Sequence, residues 1–316
     1  MKKLDEFEII KKFQMVFGNK KFVSEDVESF KVGTTKVITK VDTLVESTDI
    51  PPQMTLRQAA RKSVVACVSD FASKGIKPRF GIISVNFPSN ITKLQLNEIT
   101  SGFRHASKEF GIKFLGGDTN QGKEFVFNVC IFGNAKNFVK RQGAKKGDLL
   151  FVTGPFGLTG VGLYVLLQKI KTTDIISKKV TRSVFWPIPR LEFALLAKKF
   201  LTSAMDSSDG LSTTLNEMAN QSKCKFVLHT IPTTDEIIQF SQQRKINLES
   251  FVFHTGEEYE FAFTIPKKFK SHIAKISKAT NTPIIEIGEV MNGCGVFMKK
   301  EKSLFRLRNL GFKHFS

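Results

Sequence analysis

The stretch Lys113 to Gly122, KFLGGDTNQG, constrains this chain more than any other. Phe114 and Leu115 close an apolar run, and Gly116 and Gly117, having no Cβ, let a polyanion approach the backbone. Asp118 then offers a carboxylate at that opening, an order that suits a metal-bridged phosphate. The same letters also spell a plain Gly-Gly-Asp turn without chemistry, so the choice rests on acids elsewhere. A Walker-type phosphate loop is excluded. After Gly117-x4-Gly122-Lys123, Glu124 stands where Ser or Thr is needed, and a strand over Phe125 to Phe132 follows in place of a helix.

Upstream, an extended segment is expected over Phe22 to Phe30, with Glu25 and Asp26 adjacent in it. Thr35 to Val45 alternates as a strand and puts Asp42 on the face of Ile38 and Leu44. An acid there needs a cation or a solvated edge. Pro51 and Pro52 break the chain, Thr55 caps a helix to about Ser73, and Gly75 ends it. Asp70 lies in the last turn of that helix, where the dipole disfavours a carboxylate. Lys74, four residues on, is the candidate counter-charge, and a metal ion is the other. A strand over Arg79 to Asn86 and a helix from about Thr92 to Gly111 complete an order of β, β, α, β, α, β, β, which is mixed α/β.

A chain of 316 residues with 41% apolar content is expected to make about two domains. The polar, Lys-rich segment Asn134 to Gly147 reads as their boundary, giving 1–138 and 139–316. The second half opens with a strand over Leu149 to Thr153. Gly154, Gly157, Gly160 and Gly162 then lead into an apolar helix, whose start either binds an anion or packs tightly. Trp186-Pro-Ile-Pro-Arg190 opens a helix to about Phe200. In MDSSDG, Asp206 and Asp209 bracket Ser208 before a helix starting at Gly210, a pattern of either capping or cation binding. TGEEYE, Thr255 to Glu260, precedes a strand over Phe261 to Ile265, and the Gly293-Cys294-Gly295 turn comes near the end.

The net charge of +19 raises nucleic acid as a partner, but the lysines are spread along the chain with no recognised binding signature, which argues for a solvated basic surface. That field also attracts anionic phosphate substrates. Cys67, Cys130, Cys224 and Cys294 are far apart, as expected of reduced buried thiols rather than disulfides or a zinc site. With no secretory signal and no transmembrane-length run, a cytoplasmic protein without a membrane partner is expected. The acids Asp26, Asp42, Asp70, Asp118, Asp206 and Asp209 fall at strand ends, helix ends and glycine turns, whereas His105, His229, His254, His272 and His314 are dispersed. Hard oxygen ligands on scattered elements suit Mg²⁺ held by nucleotide phosphates, and phosphoryl transfer uses more of them than an acid pair of glycosidase type does.

Seven segments in order carry a resemblance over nearly the whole chain: VDTLVE, VACVSDFASKGIKP, LGGDTNQG, RQGAKKGDLLFVTGPFG, MDSSDGL, GEEYEF and LGFKHF. Together they resemble the thiamine-monophosphate kinase family, and more widely the ATP-binding superfamily of aminoimidazole ribonucleotide synthetase. The resemblance implies two α/β domains in a mixed α+β, synthetase-like fold, N-terminal domains pairing in a homodimer, and ATP in the cleft between the halves. It assigns Asp26, Asp42, Asp70, Asp118, Asp206 and Asp209 to Mg²⁺, and Gly117, Asp118, Arg141 and Ser208 to the nucleotide. Asp118, Asp209 and Arg141 take the catalytic roles, and Glu257, Phe312 and the position of Asp49 face the thiamine ester. The implied reaction is ATP-dependent phosphorylation of thiamine monophosphate. The sequence departs from the family pattern at Ser24, Val41, Asp49, Gln121 and Leu158-Thr159. Those departures leave open another ATP-dependent synthetase of the superfamily with a changed acceptor.

Overall fold

The computed structural model describes residues 6–19, 22–170 and 174–313. His314 and the last residues of the LGFKHF tail lie outside them. In chain order the first half carries α1 (Glu6–Val16), β1 (Glu28–Val32), β2 (Thr35–Val45), the short α2 (Glu46–Asp49), α3 (Leu56–Ser73), β3 (Pro78–Pro88), α4 (Lys93–Phe110), β4 (Lys113–Gly122) and β5 (Val126–Asn134). The second half carries β6 (Asp148–Thr153), α5 (Leu158–Leu167), α6 (Asp174–Phe185), α7 (Leu191–Ala197), β7 (Ser203–Asp206), α8 (Leu211–Ser222), β8 (Lys225–Leu228), α9 (Asp235–Arg244), β9 (Phe261–Pro266), α10 (Lys270–Ala279), β10 (Ile284–Met291), β11 (Gly295–Lys300) and β12 (Ser303–Arg306).

The first five strands form one sheet in the order β1-β2-β5-β3-β4, and the rest form a seven-stranded sheet in the order β12-β11-β8-β10-β6-β9-β7. The mixed α+β class follows. Within the first sheet β3 and β4 run parallel, joined through α4, and the other pairs are antiparallel. On β2 the alternation works as expected: Ile38 and Leu44 enter the core, while Val41 faces out at 63% exposure.

Helix α3 is the middle of the molecule. A capping box between Thr55 and Gln58 starts it, and 14 of its 18 residues are buried. It packs on the first sheet, on α4, and on β7, β9 and α7 of the second half, so both cores meet on its surface. Arg61, fully buried on this helix, donates to Glu109 of α4 at 2.7 Å and to the Pro187 carbonyl at 3.0 Å, clamping the two halves.

The stretch Lys113 to Gly122 proves to be β4, an exposed strand at the edge of the first sheet, and neither a turn nor a hub. Gly117 serves close packing. A Cβ on Gly117 would lie 1.9 Å from the Ile83 carbonyl oxygen of β3, so any side chain would push the strands apart. The extended segment expected from Phe22 becomes strand only over Glu28–Val32, α6 was not anticipated, and two strands follow Gly293 where only a turn was expected. Among the described residues no helix is long and apolar enough to cross a membrane, and all four cysteines are free thiols, with Cys294 exposed rather than buried.

Candidate active site

Three of the six predicted metal-binding acids converge where the halves meet. Asp26 comes from the segment before β1, Asp70 from the last turn of α3, and Asp206 from the end of β7. All are buried, and one carboxylate oxygen from each lies within 4.8 Å of the others. Ser73 donates to Asp26 at 3.1 Å and Ser69 to Asp206 at 3.1 Å, so one face of α3 orients acids from both halves.

Cations from the chain surround the group. Lys74 Nζ sits 2.7 Å from Asp26 and 2.9 Å from Glu25, and also donates to the Ala204 carbonyl at 2.8 Å. Lys74 therefore serves Asp26, not Asp70 as its position on the helix suggested. Asp70 is met instead by Lys40 of β2 at 3.0 Å. Arg141 binds Asp26 through Nε at 2.6 Å and through a second guanidinium nitrogen, and it reaches Ser24 Oγ at 3.1 Å. Expected against the nucleotide, its guanidinium here neutralises an acid.

The charges of the three acids are unequally balanced. Burial raises Asp26, but Arg141 and Lys74 outweigh it and hold the group at about 2. Burial pushes Asp206 up to about 7, with Asp26 adding repulsion that Lys40 and Arg141 only partly offset. Asp70 is likewise raised by burial, against the pull of Lys40. The cluster is thus short of positive charge on the Asp70–Asp206 side. The Ser207 hydroxyl beside it is buried without a hydrogen-bond partner. Three hard carboxylate oxygens with unmet negative charge fit a divalent cation of the Mg²⁺ type.

The other predicted residues are placed differently. Asp42 lies on β2 within the influence of Lys40, outside the three-acid group. Asp209 follows in the turn after β7 and is not part of the three-acid group. Its loop is held on one side by Gly256-Glu257, where the Glu257 N–H donates to the Ser208 carbonyl at 2.6 Å. On the other side the Phe312 N–H donates to the Asp209 carbonyl at 2.9 Å. Ser208, Asp209, Glu257 and Phe312 are thereby gathered on one rim. The Glu257 carboxylate is 2.5 Å from Lys62, a buried α3 lysine that also donates to the Asp49 carbonyl at 3.0 Å. The Asp49 carboxylate accepts the Val45 N–H at 2.7 Å, closing the turn after β2.

Asp118 is the largest displacement from expectation. It is exposed on β4, paired with Ser84 on the sheet face that turns away from α3. Asp42 aligns through Val129 and Ile83 with Gly117, so three strand spacings, about 14 Å, separate those two positions, and Asp118, one residue further on, points to the opposite face. Within one chain neither Gly117 nor Asp118 reaches the cluster.

The glycine-rich start of α5 is met by a carboxyl group of the chain itself. Glu258, buried, accepts the Gly157 N–H at 2.8 Å and the Thr159 hydroxyl at 3.0 Å, and burial lifts it to about 8. Sequence reasoning passed over Lys40, Lys62 and Tyr259. The Tyr259 phenol is buried near Glu257, Asp42, Asp49 and Asp206, which add to burial in raising its pKa. The visible signal for Lys40 was its place two residues before Asp42 on the same strand face.

The fold and this seam of acids define the class: residues 24–135 match the family model of the AIR synthase related protein, N-terminal domain, and residues 145–300 that of the C-terminal domain. The chain is 56% identical to the thiamine-monophosphate kinase of Nitrosopumilus maritimus over 315 residues, covering both chains fully. It is 33% identical to that of Pyrococcus horikoshii, over 99% of this chain and 97% of the relative. A solved structure of AaThiL complexed with AMPPCP and TMP is similar at TM-score 0.85 and 25% identity, over 99% of this chain and 97% of that one. HypE in the HypE–HypF complex shares the fold at TM-score 0.74 and 15% identity, over 94% and 99% of the two chains. The chain belongs to the thiamine-monophosphate kinase family.

Proposed function

We propose that this chain transfers the γ-phosphoryl group of ATP directly to the phosphate of thiamine monophosphate, giving thiamine diphosphate and ADP. The carrying observation is the buried trio Asp26, Asp70 and Asp206 at the seam of a chain from this family. The likeness to a structure holding AMPPCP and TMP supports the same pair of ligand sites here.

In-line transfer breaks the bond from the γ-phosphorus to the β–γ bridging oxygen and forms one to an oxygen of the monoester. With a second pKa near 6, that phosphate is already largely dianionic at neutral pH, so no protein base has to remove a proton. The demand on the protein is charge balance and alignment. Asp26, Asp70 and Asp206 would hold Mg²⁺, with Asp42 and Asp209 at the rim, and the metal supplies neutralisation of the phosphate oxygens. Ser208 and Arg141 are assigned to the nucleotide. Glu257, positioned by Lys62, faces the cationic thiazolium, and Phe312, 54% exposed beside the Ser208-Asp209 loop, offers a ring to stack on it. Because the reaction draws on ATP, we place the protein in the cytoplasm.

A homodimer is part of this reading. The outward face of the first sheet exposes Phe30, Val32, Val41, Phe80 and Ile82, an apolar surface of the kind a second copy covers. Asp118 lies on that face, which supports its acting on the site of a partner rather than its own.

Incubation with ATP, Mg²⁺ and thiamine monophosphate is expected to give thiamine diphosphate and ADP in equal amounts. ADP release with aminoimidazole precursors but not with the thiamine ester would overturn the acceptor and keep the class.

A further inference from the structure

The three chain cations at the acid cluster are not equivalent. Lys74 and Arg141 both grip Asp26, and both are tied down elsewhere, Lys74 to Glu25 and the Ala204 carbonyl, Arg141 to Ser24. They hold the two halves together. Lys40 comes instead from the middle of β2 and meets Asp70, with its side chain still 28% exposed. Its ammonium lies 3.0 Å from Asp70. Asp42 follows two residues on along the same strand face, and Asp70 is one of the three converging acids. Lys40 thus stands among the carboxylates whose charge Lys74 and Arg141 leave unmet.

Resting on the metal reading above, we infer that the Lys40 ammonium is a resident cation that fills one of the cation positions of this cluster, so that the chain binds one divalent ion fewer than its acids would otherwise hold. Asp26, Asp70, Asp206 and the Glu25 carboxylate that shares Lys74 set four negative charges against Lys74 and Arg141, and Lys40 lowers the two left over to one. The ammonium, 3.0 Å from Asp70, would take a place beside that carboxylate that an ion could otherwise use. Its tether to β2 makes its local concentration independent of the metal in solution. The metal-free protein is therefore kept folded at the seam, and the ions that arrive with the nucleotide face a cluster already part-neutralised.

The test counts ions. The full-length protein with saturating AMPPCP is titrated with Mn²⁺, and bound ions are read from the loss of the free Mn²⁺ signal in electron paramagnetic resonance. Lys40→Met and Lys40→Gln are expected to bind one Mn²⁺ per chain more than the unaltered protein, and Lys40→Arg to bind the same number. Without nucleotide, Mg²⁺ is expected to raise the melting temperature of Lys40→Met by about 3 °C or more beyond its effect on the unaltered protein. Equal Mn²⁺ counts in all four proteins overturn the inference and leave the metal reading intact. Absence of Mn²⁺ binding from the unaltered protein overturns both. Should Lys40→Met fold only when Mn²⁺ is present, the inference stands. If metal does not restore it and Lys40→Gln keeps the original count, the inference falls.

Discussion

Asp26 and Asp206 touch the same cluster, yet their surroundings predict opposite responses to one substitution. Asp26 is held at about 2 by Arg141 and Lys74, both engaged with it. Its folded value is depressed, so it stabilises the fold above the ordinary carboxylate range and loses that effect as pH falls towards 2. Asp26→Asn leaves the buried Lys74 and Arg141 short of a partner and is expected to cost about 3–5 kcal/mol in unfolding free energy. Asp206 is pushed up to about 7 by burial and by Asp26. With its folded value raised, its ionisation destabilises the metal-free protein increasingly from about pH 4 up to about 7. Asp206→Asn removes that cost and is expected to leave the metal-free protein at pH 8 as stable as before, or more so. Both variants are expected to lose turnover by about a hundredfold or more, because a neutral amide replaces a charged metal ligand. Denaturant midpoints of the two metal-free variants, set beside their rates with Mg²⁺ and ATP, check the contrast, and equal destabilisation by both would refute it.

At the scale of elements, the start of α5 carries its own test. Glu258 satisfies the Gly157 N–H and the Thr159 hydroxyl from a buried position, and its folded value of about 8 lies above the ordinary carboxylate value. The folded state therefore holds a proton that the unfolded chain has lost, and this contribution to stability declines from about pH 4.5 to pH 8. Glu258→Gln keeps acceptor geometry without the titration. The stability difference between variant and parent is expected to move in the variant's favour by on the order of 3 kcal/mol between pH 5 and pH 8. Unfolding curves at the two pH values measure it. Such elements were legible where their signals are local. Thr55 with Gln58 and Thr92 with Gln95 form the capping boxes of α3 and α4, and Gly111 closes α4 in a left-handed conformation. β4 was not legible, since an exposed glycine-rich edge strand shows no alternation and owes its shape to the neighbouring β3. The same limit governs the site. Pooling the acids marked Asp26, Asp70 and Asp206 along with three that do not join them, and that Lys74 serves Asp26 while Lys40 serves Asp70 is decided by tertiary placement rather than by spacing.

For the whole molecule the open quantity is the number of chains that make one site. Asp118 and Asp206 cannot meet within a chain that keeps β4 at the far edge of its sheet, with Asp118 on the face away from α3. That face also exposes Val41 and Ile82, side by side through Cys130 of β5, and burying such apolar area is what drives two copies together. In a two-fold pair the same surface meets itself, so whatever one chain lends its partner it also receives. Asp118→Asn and Asp206→Asn are each expected to be inactive alone. When the two variants are mixed and allowed to exchange chains, half the dimers are mixed. In each mixed dimer, one site draws Asp206 from the first chain and Asp118 from the second, and the other site lacks both. About a quarter of the parental activity is then expected to return. If Asp118 served its own chain, every site in the mixture would lack one acid and activity would stay at the level of the separate variants. A chain-exchange assay followed over time thus separates a shared site from a self-contained one, and sedimentation of each variant before mixing shows that the substitutions left the pairing itself intact.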